Sequence, residues 1–167
     1  MQNIFATDLQ LRDVIEKDFP IFFEQQLDAS ALYMAAFTSK DPTDREAFIA
    51  RWNKFMDDHT IQKKTILYNG HVIGNIINFE QFGQSMVGYW IGKEYWGKGL
   101  ATKALILFLE QIKTRPLFAR VAKDNIASIR VLQKCGFNII GEDKGFSNAR
   151  GVEVEEFILI LNVHETE

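Results

Sequence analysis

The chain has 167 residues, of which 47% are hydrophobic and 25% are charged, and its net charge at pH 7 is −3. This length and composition are typical of one globular domain with a substantial core, so we expect a single domain over residues 1–167. A mildly acidic chain with a pI of about 5.7 disfavours a nucleic-acid-binding protein, whose domain is usually basic.

The N-terminus and the cysteine content give no sign of export. Residues 1–8 lack the basic segment and apolar run of a signal peptide, and no run approaches the roughly 18 apolar residues of a membrane span. Cys135 is the only cysteine, which excludes an intramolecular disulfide, and we expect it to pack in the core. We therefore expect a cytoplasmic protein with no membrane partner.

The first third of the chain is predicted to hold one strand followed by helices. Alternating apolar residues place a strand within residues 4–14. A helix is expected to begin at Asp18-Phe-Pro20, because a carboxylate can cap a helix that has proline in its first turn. A second apolar segment covers residues 29–37, and Asp41-Pro42 predicts the start of another helix. The many aromatic residues of this region are expected to pack on a sheet.

A β-hairpin is predicted in the middle of the chain. Asn69-Gly70 separates two apolar runs, residues 65–68 and 72–77, and both turn residues tolerate positive φ. Residues 86–91 are expected to form the next strand.

The second half is predicted to alternate strands and helices. Helices are expected over residues 99–114, before Pro116, and over residues 125–135, ended by Gly136. Further strands are predicted over residues 117–121 and 152–163, and residues 137–141 are expected to start another. Early helices, an antiparallel run and a strand–helix–strand unit indicate the α+β class with a mixed sheet.

The junction between residues 86–91 and the long helix is the most informative segment. Gly97 and Gly99 lie in this turn, so no side chain blocks the approach of a ligand to the backbone. The first amides of a helix have no partner within the helix and, together with the helix dipole, favour a phosphate. The turn therefore predicts a phosphate site, although two glycines also suit an ordinary strand–helix turn. The P-loop and dinucleotide-binding glycine patterns are both absent.

Two motifs resolve this ambiguity by resemblance. Trp96-Gly-Lys-Gly-Leu-Ala101 resembles the glycine loop of the GNAT superfamily, and the segment from Asn125 through Ser128 to Gly136-Phe137 resembles its second motif. Their order and separation are similar to the branch of ribosomal-protein N-terminal acetyltransferases, the RimJ/RimL-like enzymes. The resemblance implies a GNAT-like mixed, mostly antiparallel central sheet flanked by helices. Trp96 is a departure, because the family usually has Gln or Arg there.

The resemblance implies acetyl-CoA as co-substrate and no metal. Amides of the glycine loop would hold the pyrophosphate, and the pantetheine arm would lie beside residues 90–93, with Ile91 as its main-chain partner. A main-chain N–H near Ile91 would also stabilise negative charge on the thioester carbonyl. The implied cofactor-binding residues are Trp90, Ile91, Lys93, Trp96, Gly97, Lys98, Gly99, Leu100, Ala101, Thr102, Asn125 and Ser128.

The acid that assists the departing thiolate is less clear from the sequence. Many GNAT members use a Tyr four residues before the glycine of the second motif, and Leu132 stands at that position. By resemblance to the ribosomal-protein branch, Ser128 is the candidate acid; the alternative is a hydroxyl that bonds back to the helix backbone. Asn125 is expected to bond the pantetheine or a strand carbonyl, or to cap its helix.

The base that takes a proton from the amine is also left open. Many members carry a Glu near the positions of Ser85 and Met86, and neither of these residues can act as a base. Glu80 is one candidate base, and Glu153, Glu155 and Glu156 on the last strand are others, with a water relay as the alternative. Alternation sends Glu153 and Glu155 to one face of that strand and Glu156 to the other.

These inferences together predict an acetyl-CoA-dependent N-acetyltransferase that moves an acetyl group to a primary amine by direct attack on the thioester. The acceptor is expected to be a protein N-terminus or a small amine. Two alternatives remain: a catalytically silent CoA-binding sensor or interaction module, motivated by the missing Tyr and Glu, and a generic nucleotide-binding domain. No nucleic-acid partner is expected, and dimers are common in this family, so a homodimer is a further expectation. His59, His71 and His164 have no metal-site spacing.

Overall fold

A seven-stranded sheet with helices on both faces forms the frame of this protein. The computed structural model describes residues 8–163. The strands are β1 (Leu9–Asp13), β2 (Gln62–Tyr68), β3 (His71–Gln81), β4 (Gln84–Ile91), β5 (Leu117–Ala122), β6 (Asn138–Ser147) and β7 (Val152–Leu161). The helices are α1 (Phe19–Gln26), α2 (Ala29–Ala35), α3 (Arg45–Asp57), α4 (Leu100–Gln111) and α5 (Ile126–Lys134). Short 3-10 turns, Glu16–Asp18 and Lys93–Tyr95, lie before α1 and before the loop that leads to α4.

The sheet is mixed and mostly antiparallel. Its strand order is β1-β2-β3-β4-β5-β7-β6, and only the central pair, β4 and β5, is parallel. A parallel pair needs a crossover connection, and α4 provides it. The α+β class and the sheet type expected from the sequence are confirmed.

The predicted hairpin joins β2 and β3. Asn69 and Gly70 have φ values of 51° and 81°, and Tyr68 pairs with His71 across the turn. Both turn residues therefore adopt the left-handed conformation that Asn and Gly tolerate best.

Two hydrophobic clusters hold the helices on the sheet. On one face, α4 and α5 pack through Leu105, Phe108 and Leu132 against strand residues that include Ile76 and Leu159. On the other face, α1 and α3 contribute an aromatic cluster, which consists of Phe19, Phe22, Phe23, Phe48 and Trp52. The expectation that the early aromatic residues pack on the sheet is confirmed for this cluster.

One expected helix start is confirmed and one is wrong. α1 begins directly after Asp18 with Pro20 in its first turn, as expected, but the Asp18 side chain makes no capping hydrogen bond. α3 begins at Arg45 rather than at Asp41-Pro42. Asp44 caps α3 by accepting a hydrogen bond from the main chain, whereas Asp41 bonds Thr43 in the preceding turn. The carboxylates of Asp18 and Asp41, which the sequence pattern predicted to cap helices, thus form hydrogen bonds with other groups nearby.

Asp18 instead forms a buried polar centre between β1, β2 and α1. The Arg12 guanidinium donates two hydrogen bonds to its carboxylate at 2.7 and 2.9 Å, and Thr65 Oγ1 donates a third at 2.6 Å. The Ile15 amide adds a fourth at 3.0 Å. Burial alone would raise the pKa of Asp18, but these hydrogen bonds outweigh it and hold the pKa below its ordinary value. The carboxylate therefore ties the first strand to the helical layer.

Element boundaries differ from expectation at three places. α4 ends at Gln111 because Ile112 is already extended, several residues before Pro116. β6 extends to Ser147, well past residue 141, because its charged outer half still pairs with β7. The strand expected over residues 4–14 begins at Leu9, and residues 4–7, like His164, lie outside the described residues. Within residues 8–163, no helix is both long and apolar enough to cross a membrane.

Candidate active site

A notch opens in the middle of the sheet, where β4 and β5 separate. Met86 pairs with Phe118, and beyond this pair the two strands run on to Ile91 and Ala122 with no further pairing between them. We define the notch as the gap between residues 87–91 and residues 119–122. The main-chain groups of β4 that face this gap have no partner from β5, so an extended ligand can bond to them as a strand would.

The loop after β4 leads from the notch to the N-terminus of α4. Gly97 and Gly99 have φ values of 76° and 74°, in the left-handed region that favours glycine. A Cβ atom built at either position would meet nothing within 4 Å, so both glycines border open space. Gly99 is the N-cap residue of α4, and no side chain caps this helix.

The beginning of α4 is suited to an anion. The N-cap residues of α2 and α3 are Asp28 and Asp44, whose carboxylates accept hydrogen bonds from main-chain amides. The first turn of α4 has no acidic residue, and the exposed Lys98 and Lys103 flank it. Uncapped amides beside open glycines and lysines fit phosphate groups, so the residues present are compatible with the predicted phosphate site.

Trp96 braces the glycine loop. Its indole nitrogen donates a hydrogen bond to the Ile91 carbonyl at 2.9 Å, which links the loop to the last residue of β4. The sequence placed Trp96 among the binding residues but did not predict this brace. The side chain of Leu100 is 3% exposed and packs in the core, so at this position only the main chain is available to a ligand.

Trp90 and Lys93 point towards the N-terminal helices. The indole nitrogen of Trp90 lies 3.4 Å from the Gln25 carbonyl, and the Lys93 ammonium lies 3.9 Å from the Asp28 carboxylate. These contacts join the end of β4 to α1 and to the start of α2. Both side chains are therefore directed towards α1 and α2.

Tyr89 and Ser128 bring two hydroxyl groups together between β4 and α5. Tyr89 lies on β4, and its hydroxyl oxygen is 2.8 Å from the Ser128 Oγ on α5. Tyr89 packs against the cluster that contains α4 and α5, on the same side of β4 as Val87 and Ile91. Tyr89 is not among the site residues expected from the sequence, although strand alternation from Val87 and Ile91 places it on this face.

Asn125 caps α5. Its Oδ1 accepts a hydrogen bond from the Ser128 amide at 3.3 Å, and its Nδ2 donates to the Met34 carbonyl at 3.4 Å. The capping role that was one of the expected alternatives is confirmed. Asn125 therefore fixes the turn that carries Ser128 and links it to α2.

The candidate bases lie apart from Ser128. Glu80 is exposed and pairs with Ser85, next to the closed end of the notch at Met86. Glu155 is exposed on β7, where its carboxylate accepts a hydrogen bond from Lys123 at 3.1 Å. In the part of the chain that the structure describes, no hydrogen bond joins either carboxylate to Ser128.

The alternation predicted for the last strand is confirmed. Glu153 and Glu155 are exposed, whereas Glu156 is 8% exposed and pairs with Arg120 at 3.1 Å. Burial raises the pKa of Glu156, and the neighbouring Arg120 opposes this effect. Arg120 also bonds Asp143, so Glu156 belongs to a structural ion cluster on the sheet.

Arg150 ties the β6–β7 turn to both sides of the site. Its guanidinium donates two hydrogen bonds to Asp124 at 2.7 and 2.9 Å, just before Asn125. It also donates to the Tyr33 carbonyl at 2.8 Å and stacks over the Tyr33 ring at 4.1 Å. The turn, α2 and the start of α5 are therefore joined through one side chain.

Cys135 packs as expected. It is half-buried beside α4, and burial raises the pKa of its thiol, which disfavours the reactive thiolate. Among residues 8–163, no three His, Cys, Asp or Glu side chains are grouped so that they could hold a metal ion.

Comparison with known proteins identifies the family. The profile of the acetyltransferase (GNAT) domain matches residues 8–138. The chain belongs to the GNAT acetyltransferase family. This GNAT chain is 32% identical over 124 residues to the putative ribosomal N-acetyltransferase YdaF of Bacillus subtilis (strain 168). The aligned region covers 70% of this chain and 68% of YdaF. The match to the family and the similarity to named N-acetyltransferases identify the protein as an N-acetyltransferase.

Solved GNAT structures share the fold. The ribosomal-protein-alanine N-acetyltransferase from Brucella melitensis superposes with a TM-score of 0.77 at 19% identity, covering 92% of this chain and 99% of that chain. RimL, a ribosomal alpha-N-protein acetyltransferase solved in complex with coenzyme A, has a TM-score of 0.77 at 18% identity and covers 96% of this chain and 97% of its own. The suspected resemblance to the RimJ/RimL-like branch is confirmed at the level of family and fold.

Proposed function

We propose that this GNAT protein transfers an acetyl group from acetyl-CoA to a primary amine. The observation that carries the proposal is the notch between β4 and β5, which leads to an uncapped helix N-terminus with two open glycines. An extended arm that ends in a diphosphate matches both features, since the arm needs free strand groups and the diphosphate needs free amides.

Main-chain groups would hold most of the co-substrate. The amides around Gly97 and Gly99 suit the pyrophosphate, Lys98 adds positive charge, and the free side of residues 87–91 suits the amides of the pantetheine arm. Acetyl-CoA supplies an activated acyl carbon and a thiol leaving group. The fold shared with RimL, which was solved with coenzyme A, supports this assignment.

Ser128 is the residue that we assign to the departing sulfur. It lies in the first turn of α5, where the positive end of the helix dipole favours negative charge. Leu132 lies one turn later on the same side of the helix, is 1% exposed and has no proton to give. The hydroxyl of Ser128 thus takes the place of the Tyr that other members carry at the Leu132 position.

The base is assigned to Glu80, Glu155 or a bound water. Glu80 is free of the ion pairs found in the described chain and lies by the closed end of the notch, which favours it. Glu155 would first have to leave its contact with Lys123. Either carboxylate would accept the proton that the ammonium loses as it becomes a nucleophile.

The acceptor is proposed to enter on the side of α1 and α2. Tyr33 and Phe37 are 50% and 40% exposed there, and Arg150 stacks on Tyr33 at the β6–β7 turn. Exposed rings beside the notch suit a peptide N-terminus or a small amine. The relative YdaF carries the name of a putative ribosomal N-acetyltransferase, which favours a protein N-terminus.

A panel of amines tests the proposal. The purified protein is incubated with acetyl-CoA and with N-terminal peptides of ribosomal proteins, polyamines, amino acids or aminoglycosides, and both free thiol and acetylated product are measured. We expect at least one amine to be acetylated. If CoA binds but no amine reacts, and Ser128→Ala changes nothing, the silent CoA-binding alternative is correct.

Thermal shift separates the ligand classes. A ligand present at 100 times its dissociation constant stabilises the folded state by about 2.7 kcal/mol. We expect this stabilisation with CoA and acetyl-CoA, whereas stabilisation by ATP or NAD alone would support the nucleotide-binding alternative. The single domain over residues 1–167, the cytoplasmic location and the homodimer stay predictions, which limited proteolysis, cell fractionation and light scattering would test.

A further inference from the structure

Tyr89 and Ser128 form a pair of hydroxyl groups between β4 and α5, with their oxygen atoms 2.8 Å apart. On the basis of the proposed function, we propose that Tyr89 is a positioning residue that donates its hydroxyl hydrogen to Ser128. The hydrogen of Ser128 is then free to point at the departing sulfur. The sequence motifs gave no role to Tyr89, and Leu132 occupies the position of the usual Tyr on α5.

The direction of this hydrogen bond follows from the chemistry of the two groups. A phenol is more acidic than an aliphatic hydroxyl and is therefore the better donor. Burial raises the pKa of Tyr89 to about 12, and the contact with Ser128 opposes this effect. The phenol consequently keeps its hydrogen throughout the neutral range and can donate it to Ser128.

Independent contacts hold both hydroxyl groups in place. Tyr89 is flanked on its face of β4 by Val87 and Ile91, which are 5% and 7% exposed. The Ser128 amide bonds the Asn125 side chain, which is itself linked to the Met34 carbonyl. The pair is thus supported from the sheet on one side and from α2 and α5 on the other, as a positioning role requires.

The proposed step conserves atoms and charge. The amine nitrogen forms a bond to the acyl carbon, the bond between carbon and sulfur breaks, and sulfur keeps the electron pair. The base takes the proton that the ammonium loses as it becomes a nucleophile. The second proton, which the nitrogen loses as the amide forms, passes through water to the thiolate, which the Ser128 hydrogen bond stabilises until then. Tyr89 gives up no proton, because its part is to orient Ser128.

Three variants and a matched control test the proposal by kinetics. Tyr89→Phe, Ser128→Ala and the double variant are compared with Tyr68→Phe, which removes another half-buried phenol packed against the same core. We expect Tyr89→Phe to lower kcat about fivefold to tenfold, the usual effect of one lost hydrogen bond, with an unchanged KM for acetyl-CoA. Adding Tyr89→Phe to Ser128→Ala should cause no further loss, because the phenol acts through the serine.

Binding provides a second readout that does not depend on turnover. The affinities for CoA and for desulfo-CoA, which lacks the sulfur, are measured between pH 7 and pH 9. We expect CoA to gain affinity over desulfo-CoA as the pH rises, because the oriented Ser128 stabilises the thiolate. This gain should shrink in Tyr89→Phe and persist in Tyr68→Phe.

The outcomes separate this inference from the proposed function. If no amine is acetylated by the wild-type protein, the proposed function fails, and the pH dependence of CoA binding still decides the role of Tyr89. If the wild-type protein is active but Tyr89→Phe keeps both its kcat and its pH-dependent gain, the inference is overturned. Full additivity of the two substitutions would overturn it as well.

Discussion

The indole nitrogen of Trp96 donates a hydrogen bond to the Ile91 carbonyl, and this 2.9 Å contact joins the glycine loop to the end of β4. Trp96 stands at the loop position where the GNAT motif usually has Gln or Arg. Here its side chain forms a hydrogen bond within the protein. The position of Gly97 and Gly99 relative to the notch therefore depends on the hydrogen bond from the Trp96 side chain to the main chain of Ile91.

Trp96→Phe should weaken CoA binding. The phenyl ring keeps most of the packing but cannot donate to Ile91, and one lost hydrogen bond of about 1 kcal/mol corresponds to roughly a fivefold rise in Kd. Titration calorimetry measures this change. Trp52→Phe is the control, because Trp52 lies in the aromatic cluster of α1 and α3 and its loss should lower stability without changing CoA affinity.

Gly99→Glu should abolish CoA binding. A side chain at a φ of 74° is strained, and its carboxylate would enter the open space where the pyrophosphate is proposed to lie. Gly83→Glu is the matched control, since Gly83 has a φ of 72°, also borders open space and lies at the opposite end of β4. Undiminished CoA affinity in Gly99→Glu would remove the phosphate assignment.

Asp18→Asn should lower the free energy of unfolding by about 2–3 kcal/mol. An amide cannot match the paired charge of Arg12, and breaking a buried ion pair is strongly destabilising, although the partial exposure of Arg12 reduces the loss. Urea unfolding measures the change. Asp13→Asn, which removes an exposed partner of Lys64, should cost less than about 1 kcal/mol.

The same carboxylate should make stability depend on acid pH. The pKa of Asp18 is lower in the folded protein than the value of about 3.9 expected in the unfolded chain. Its contribution is therefore complete above that unfolded value and is lost as the pH falls through the folded-state pKa. The gap in unfolding free energy between the wild-type protein and Asp18→Asn should narrow as the pH falls below about 3.9, and a gap that stays constant far below this pH would contradict this explanation.

Glu80→Gln should lower turnover and change the pH profile of kcat/KM if Glu80 is the base. The amide of Gln cannot accept the proton that the ammonium loses, so the step that the base assists is lost. Glu155→Gln is the parallel variant, and its structural cost is the contact with Lys123. An unchanged profile in Glu80→Gln would leave Glu155, Glu153 or water as the proton acceptor.

Much of the fold was predictable because its signals are local. The Asn69-Gly70 turn and the glycine stop at Gly136 depend on φ preferences of single residues, and the structure has both with positive φ. The outer half of β6 was missed because its charged residues form an exposed strand without an apolar pattern. The capping hydrogen bond expected of Asp18 was wrong because the partners of its side chain, Arg12 and Thr65, lie on β1 and β2.

Local patterns in the chain were sufficient for the family, the order of the strands and helices, and the glycine loop before α4, since each depends on neighbours in sequence. Folding in three dimensions decided the separation of β4 from β5, the brace from Trp96 to Ile91, and the contact between Tyr89 and Ser128. Tyr89 and Ser128 are separated by 39 positions in the chain. Such contacts depend on strand register and helix packing, which no single segment of the sequence encodes.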